Sequence, residues 1–314
     1  MKNVFVRDIR QGDKVSDVFL VAEKNMAFSQ KGAPYLSLKL KDRTGEVDGK
    51  VWDHAPEWDQ AFKKGDFVQV NARAVSYRDA VQLNVLGLKK LDESEVDPMD
   101  FLPASAGDPE AMFAELMGFV DRIATPHLKA LLTAFFRDEA LVGRFKRAPA
   151  AKSFHHNTLG GLLEHTLSVT RLLERAADHY PGADRDLLIT GGILHDIGKV
   201  HEFSYDRMVE YTDAGRLVGH IVMGVEMLDA RLAELPDFPE QAAMALRHLI
   251  LSHHGVLEFG SPKRPKTLEA LIVHHMDDLD AKVNALQTFI ESSPEEDSGW
   301  TPYHRLLERY IYKG

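Results

Sequence analysis

From Val15 to Leu88 apolar and polar positions alternate with the two-residue period of β-strands. The stretch Tyr35-Leu36-Ser37-Leu38-Lys39-Leu40-Lys41 alternates cleanly, Asp42-Arg43-Thr44-Gly45 has turn chemistry, and Glu46 to Trp52 returns as the next strand, which predicts a hairpin. A long first strand near residues 15–24, a short helix near 56–62 and strands near 67–77 and 81–88 complete the order β-β-β-α-β-β. The alternation also assigns faces. Leu36, Leu38 and Leu40 point to a core, while Tyr35, Ser37, Lys39 and Lys41 share the other side.

That order of elements suits a small all-β OB-fold barrel, here residues 1–91. On an open barrel face, Tyr35 can stack on a base while Lys39 and Lys41 track phosphates, with Phe28, Trp52 and Tyr77 as further stacking candidates. Residues 92–107, with Asp92, Glu93, Glu95, Asp97, Pro98 and Pro103, are acidic and aperiodic and read as a linker.

Beyond it, residues 108–314 turn helical, with apolar residues at three- and four-residue spacing. Helices are expected near 109–123, 126–136, 139–146, from Gly161 to about His179, and over the apolar run Leu187-Leu188-Ile189 up to a terminating Gly198. A small hairpin is expected within residues 202–219, then helices near 220–233, 239–252 and 268–289, and a last amphipathic helix near 303–312. The fold class is therefore multidomain, a barrel followed by an all-α bundle.

Composition narrows the class. The 314 residues are 44% hydrophobic, enough for real cores, and contain no cysteine, which excludes disulfides and thiolate metal sites. No run approaches the roughly 20 apolar residues of a membrane span and no early run resembles a signal h-region, so a cytoplasmic protein without a membrane partner is expected. The net charge of −10 is uneven. Residues 1–91 hold 16 Lys+Arg against 12 Asp+Glu, or +4, and the remainder 22 against 36, or −14. A basic barrel fits a phosphate-tracking module, and an acidic helical part has carboxylates to hold cations.

The candidate chemistry centres on Gly191-Gly192-Ile193-Leu194-His195-Asp196-Ile197-Gly198-Lys199. An imidazole and a carboxylate beside a buried run need a partner, because an unpaired buried carboxylate is costly. A metal ion supplies one. Other histidines recur in or beside apolar segments: His165 on the buried stripe of its helix, His220, His253, His254, and His274-His275 ahead of Asp277, Asp278 and Asp280. Such imidazole–carboxylate sets suit Mn, Fe, Zn, Ni or Co. His155 and His156 precede the first of these helices, and Lys263, Arg264 and Lys266 form a basic loop suited to guiding an anionic substrate.

The order His, His-Asp, His, His-His, Asp resembles the HD-domain phosphohydrolases. With the barrel ahead of it, and with the strings GGLLEHT, HDIGK, YTDAGRLVGH, ILSHHGVLEFGSP and HHMDDLDAKV, the chain resembles the YhaM-type 3′-to-5′ exoribonuclease family over nearly its whole length. The resemblance implies an enzyme that hydrolyses single-stranded RNA, with single-stranded DNA as a second polymer, to nucleoside 5′-monophosphates. It implies His165, His195, Asp196 and Asp277 as defining metal ligands, His220 with one or both of His253 and His254 at a second ion, and Asp196 bridging. Asp278 is the alternative to Asp277. Gly161 stands where some relatives carry a further acidic ligand, so two divalent ions, Mn²⁺ first, are expected. They would activate a water and offset phosphate charge, with Asp196 in the catalytic centre and Lys199 on the phosphate. The alternatives are a nucleotide or cyclic-dinucleotide phosphohydrolase and a non-catalytic nucleic-acid-binding protein. The oligomeric state is left open.

Overall fold

The structure is a computed structural model that describes residues 2–313 apart from 30–31, 78–79, 98–99, 102–104, 106, 152–157, 206–208, 294–298 and 305–306. His155 and His156 lie outside the described residues. The chain divides into two compact units, Met1–Ala104 and Ser105–Ser204 with Val209–Gly314, apart from a short segment at 205–208.

The first unit is a closed five-stranded barrel of β1 (Lys14–Phe28), β2 (Pro34–Asp42), β3 (Gly45–Val51), β4 (Phe67–Tyr77) and β5 (Ala80–Lys90), ordered β1-β2-β3-β5-β4. Helix α1 (Ala55–Ala61) joins β3 to β4. Closure depends on β1, which is long enough to pair with β4 over Lys14–Leu20 and with β2 over Leu20–Phe28, the second pairing shifting register between Val21 and Glu23. The parallel β3–β5 pair closes the remaining gap. The expected OB order is present. Leu36, Leu38 and Leu40 are buried in its core, as their alternation requires. Phe101, within the stretch read as linker, is also buried, its ring centroid 4.8 Å from that of Phe67.

The second unit is helical: α2 (Pro109–Asp121), α3 (Pro126–Phe136), α4 (Glu139–Arg147), α5 (Gly161–His179), α6 (Arg185–Leu194), α7 (Lys199–Glu202), α8 (Asp213–Leu217), α9 (His220–Leu232), α10 (Glu240–Ser252) and α11 (Leu268–Ser292). A two-stranded ribbon, β6 (Phe203–Ser204) with β7 (Glu210–Tyr211), is the expected small hairpin. Short α8 was not anticipated; it starts on a capping bond from Gly215 N–H to the Thr212 hydroxyl.

Helix α6 is the centre of this unit. Every residue from Leu188 to Leu194 is buried, and the helix packs against α5, α10 and α11.

Two expectations are corrected. Gly198 does not end α6 in a left-handed turn: the helix stops at Leu194, and Gly198 lies in the right-handed region at φ −62°. The described residues of the tail form no helix but an antiparallel pairing, Trp300 with Tyr312 and His304 with Arg309. Thr301 there is buried between exposed Trp300 and Pro302, and the aromatic residues Tyr303, Tyr310 and Tyr312 favour extended backbone over the helix that the spacing suggests.

Candidate metal centre

Small residues on α6 let its neighbours approach. A Cβ on Gly192 would lie 2.2 Å from Leu173 Cδ1 of α5, and one on Gly191 2.7 Å from Leu249 Cδ1 of α10. So α5, bearing His165, and α10, which ends beside His253, both close on the turn that carries His195 and Asp196. Gly198 serves the same end on the other side. Its missing Cβ would stand 2.0 Å from the His220 carbonyl oxygen and 2.7 Å from the Gly224 nitrogen, so only glycine lets the start of α9, and His220, come this near.

Asp196 is the meeting point. Its Oδ1 lies 3.5 Å from His220 Nε2 and 3.4 Å from His253 Nε2. Its Oδ2 lies 3.5 Å from His165 Nε2 and 3.4 Å from His195 Nε2. Asp277 Oδ1 lies 3.1 Å from His165 Nε2 and 3.8 Å from His195 Nε2. One ligand-type atom from each of Asp196, His220, His253 and His254 falls within 4.8 Å of the others, and the same holds for His165, His195 and Asp277. The carboxylate of Asp278, one residue on, instead pairs with Lys282 at 2.7 Å.

Five acceptors orient the five rings. Nδ1–H of His195 donates to Gly192 O (2.7 Å), that of His253 to Ile250 O (2.7 Å) and that of His254 to Phe259 O (2.6 Å). His165 Nδ1 faces Asp280 Oδ2 at 2.8 Å, and His220 Nδ1 faces Glu202 Oε1 at 3.0 Å. A carbonyl or carboxylate oxygen can only accept, so in each neutral ring the proton sits on Nδ1 and Nε2 keeps its lone pair. Asp196 Oδ1, His220 Nε2 and His253 Nε2 are buried without a hydrogen-bond partner among the described residues. Converging buried acceptors that lack donors are what a cation satisfies, and an all-nitrogen-and-oxygen donor set suits a transition ion such as Mn, Fe, Zn or Ni. The residues present fit a divalent metal.

Around Asp196 the buried charges compensate one another. Burial would raise the Asp196 carboxyl, yet Lys199 and His195 beside it hold it well below the usual carboxylate range. Burial would likewise lower His195, but the Asp196 carboxylate lifts its pKa to about 9. Burial, with His253 and His220 alongside, pushes His254 down to about 3. Lys199 is 8% exposed rather than a solvated lysine past a helix end, and its ammonium donates to Asp196 Oδ2 at 2.6 Å.

Glu202 and Asp280, to which the sequence reading assigned no role, each face an imidazole Nδ1. Asp280 is one turn beyond Asp277, on the same side of α11, so helical spacing alone pointed to it. Glu202 has no comparable signal, because α7 and the ribbon decide where it lies. A cleft of about 440 Å³ opens beside the clusters, lined by Lys199, His220, His253, His254 and Asp277 together with Phe203, Tyr211 and Phe259. Lys263, Arg264 and Lys266 are exposed.

On the barrel, the Tyr35 ring packs against Trp52 with centroids 4.7 Å apart, and Trp52 is 50% exposed rather than a core residue. Lys50 Nζ lies 5.6 Å from the Tyr35 centroid. Lys39 stands between Glu23 (3.9 Å) and Glu46 (3.7 Å), and Lys41 is half-buried. Phe28 and Tyr77 are exposed.

A barrel of this topology and a helical unit with a buried His/Asp centre define a metal-dependent hydrolase of the HD class joined to an OB-type module. Residues 162–282 match the family model described as HD domain, and residues 7–91 match the OB-fold nucleic acid binding domain. The 3′-5′ exoribonuclease YhaM of Bacillus velezensis is 34% identical over 291 residues, covering 92% of this chain and 91% of that one, and that of Bacillus subtilis is 33% identical over the same length. The Shouchella clausii protein of the same name is 33% identical over 288 residues, 91% of this chain and 89% of its own. The chain belongs to the YhaM 3′-5′ exoribonuclease family. Among the described residues no helix is long and apolar enough to cross a membrane.

Proposed function

We propose that this chain is a 3′-to-5′ exoribonuclease that removes nucleoside 5′-monophosphates from single-stranded RNA, and acts on single-stranded DNA as a second substrate, using two divalent ions with Mn²⁺ as the preferred metal. The observation that carries the reading is the set of buried acceptors around Asp196 that lack a hydrogen-bond partner among the described residues, in a chain whose relatives bear the exoribonuclease name over more than nine-tenths of its length. His220, His253 and His254 with Asp196 would hold one ion, and His165, His195 and Asp277 the other, with Asp196 shared. Bound there, the ions supply an activated water and charge neutralisation at the scissile phosphate.

The chain's own groups do the rest. Glu202, Asp280 and the three carbonyl oxygens hold each ring by its Nδ1, which turns Nε2 towards the cluster. The ammonium of Lys199 would bind a phosphate oxygen, a reading supported by its position in the lining of the cleft. On the barrel we assign Tyr35, with Trp52, to base stacking, and Lys39 and Lys41 to phosphate contacts, with residues 1–91 as the binding domain and 108–314 as the catalytic one.

The test is a 5′-labelled oligoribonucleotide incubated with Mn²⁺ beside free nucleotides and a cyclic dinucleotide. A ladder receding from the 3′ end, lost in Asp196→Asn, is expected. Hydrolysis of the free nucleotides alone, or full activity in Asp196→Asn, would overturn the reading. Elemental analysis should find about two transition ions per chain.

A further inference from the structure

The cleft beside the metal clusters has an aromatic wall that the metal chemistry does not use. Phe203 of β6 is buried, and Tyr211 of β7 lies directly across the ribbon from it, ring centroids 5.0 Å apart and tilted by 40°. Phe259, in a single 3₁₀ turn, leaves 68% of its surface exposed. All three line the same cleft as His220, His253 and Asp277. The rings are also tied to the imidazoles. Phe203 follows Glu202, whose Oε1 faces His220 Nδ1 at 3.0 Å, and the carbonyl of Phe259 itself receives His254 Nδ1–H at 2.6 Å. Tyr211 is placed by its register with Phe203 and by the bond from the next residue, Thr212 N–H to Glu202 O at 3.0 Å. The elements that orient two of the histidines therefore set the reach from the rings to the cluster.

We propose that Tyr211, backed by Phe203, and Phe259 form the subsite that stacks the base of the nucleotide being removed. This rests on the exonuclease reading and deepens it. At about 440 Å³ the cleft falls within the roughly 300–1,000 Å³ of small-molecule sites, the scale of a single nucleotide. The subsite reads the π face rather than a hydrogen-bonding edge, so it accepts any base and rejects the absence of one. An exonuclease that must remove every nucleotide in turn needs such tolerance. Tyr211 and Phe259 are then substrate-binding residues, and Phe203 is a positioning residue that supports Tyr211.

The experiment compares two oligoribonucleotides that differ only at the last residue, adenosine in one and an abasic nucleotide in the other. The rest of the strand is shared, so contacts elsewhere cancel in the ratio of kcat/KM. Wild-type protein should favour the base-bearing end by about 5- to 150-fold, the worth of one base–aromatic stack. Tyr211→Ala and Phe259→Ala should each bring the ratio towards one, and Phe259→Trp should restore it. Metal content of the same preparations identifies a variant that has lost ions; its ratio is then set aside in favour of the other alanine variant and the tryptophan rescue. A wild-type ratio near one, or alanine variants that discriminate as well as wild type, would overturn the subsite while leaving the nuclease standing. Wild-type protein that shortens neither strand would instead remove the exonuclease reading, and the subsite with it.

Discussion

At the residue scale the centre depends on groups one bond removed from the proposed ions. Asp280 and Glu202 each face the Nδ1 of a histidine, at 2.8 and 3.0 Å. An amide in either place keeps the shape but loses the charge on the oxygen that holds the ring. Asp280→Asn and Glu202→Gln should therefore weaken metal affinity by roughly 10- to 100-fold, read by competition with a chelator. Protons compete for the same rings. His195 in the metal-free protein has its pKa raised to about 9, so its contribution to stability is complete below its ordinary value of 6.5 and is lost as the pH rises through about 9. His253 and His254 are shifted downward, so the stability linked to them grows as the pH rises towards 6.5 and is constant above it. The melting temperature of chelator-treated protein should therefore peak near 6.5 and fall towards 9. Binding of the metal requires a neutral His195, so its affinity should rise over the same interval with release of a proton. A flat melting profile between those limits would remove the assignment of His195 as a proton holder.

At the element scale, glycines set how closely helices meet around His195 and Asp196. The atom a Cβ would strike at Gly192 is the end of the Leu173 side chain, which can turn aside; at Gly198 it is the His220 backbone. Gly198→Ala must push the start of α9 outward, and His220 with it. We expect about 1–3 kcal/mol lost in stability together with a loss of metal from the His220, His253 and His254 side. Gly192→Ala should cost less and keep its metal. Melting curves and elemental analysis of the pair check the order; equal effects would refute the close approach of α9 as the reason for Gly198. The same contact explains why a glycine after His195-Asp196 reads as a helix stop in one dimension and is something else in three.

On the scale of the whole molecule, the proposed function divides binding from chemistry between the two units. Every proposed ligand lies between His165 and Asp277, in the acidic part, while the barrel carries the excess of basic residues. With an inactive Asp196→Asn protein, RNA affinity measured against salt should separate the barrel's contacts. Trp52→Ala, which removes the ring packed on Tyr35, should cost roughly 1–3 kcal/mol with little change in salt slope. Lys41→Ala should lower the slope by about one. Lys39 already stands between Glu23 and Glu46, so Lys39→Ala should change it less. An unchanged affinity in all of these variants would move the RNA site off this face.

Much is legible in the sequence alone. The two-residue period determined the barrel strands and the inward face of Leu36, Leu38 and Leu40, and the three-to-four spacing determined the long helices, because both periods are properties of the backbone. The order of histidines and aspartates pointed to the metal centre for a similar reason: few structural roles call for so many imidazoles in apolar surroundings. Tertiary structure decided what depends on approach between distant segments. It placed Asp277 rather than Asp278 against His165, gave Glu202 to His220, buried Lys199 on Asp196, and brought Phe203, Tyr211 and Phe259 to one cleft. It also turned the tail into paired extended segments. A sequence states which side chains share a face of one element; which faces meet is settled by packing, and the chemistry here lies where five such faces meet.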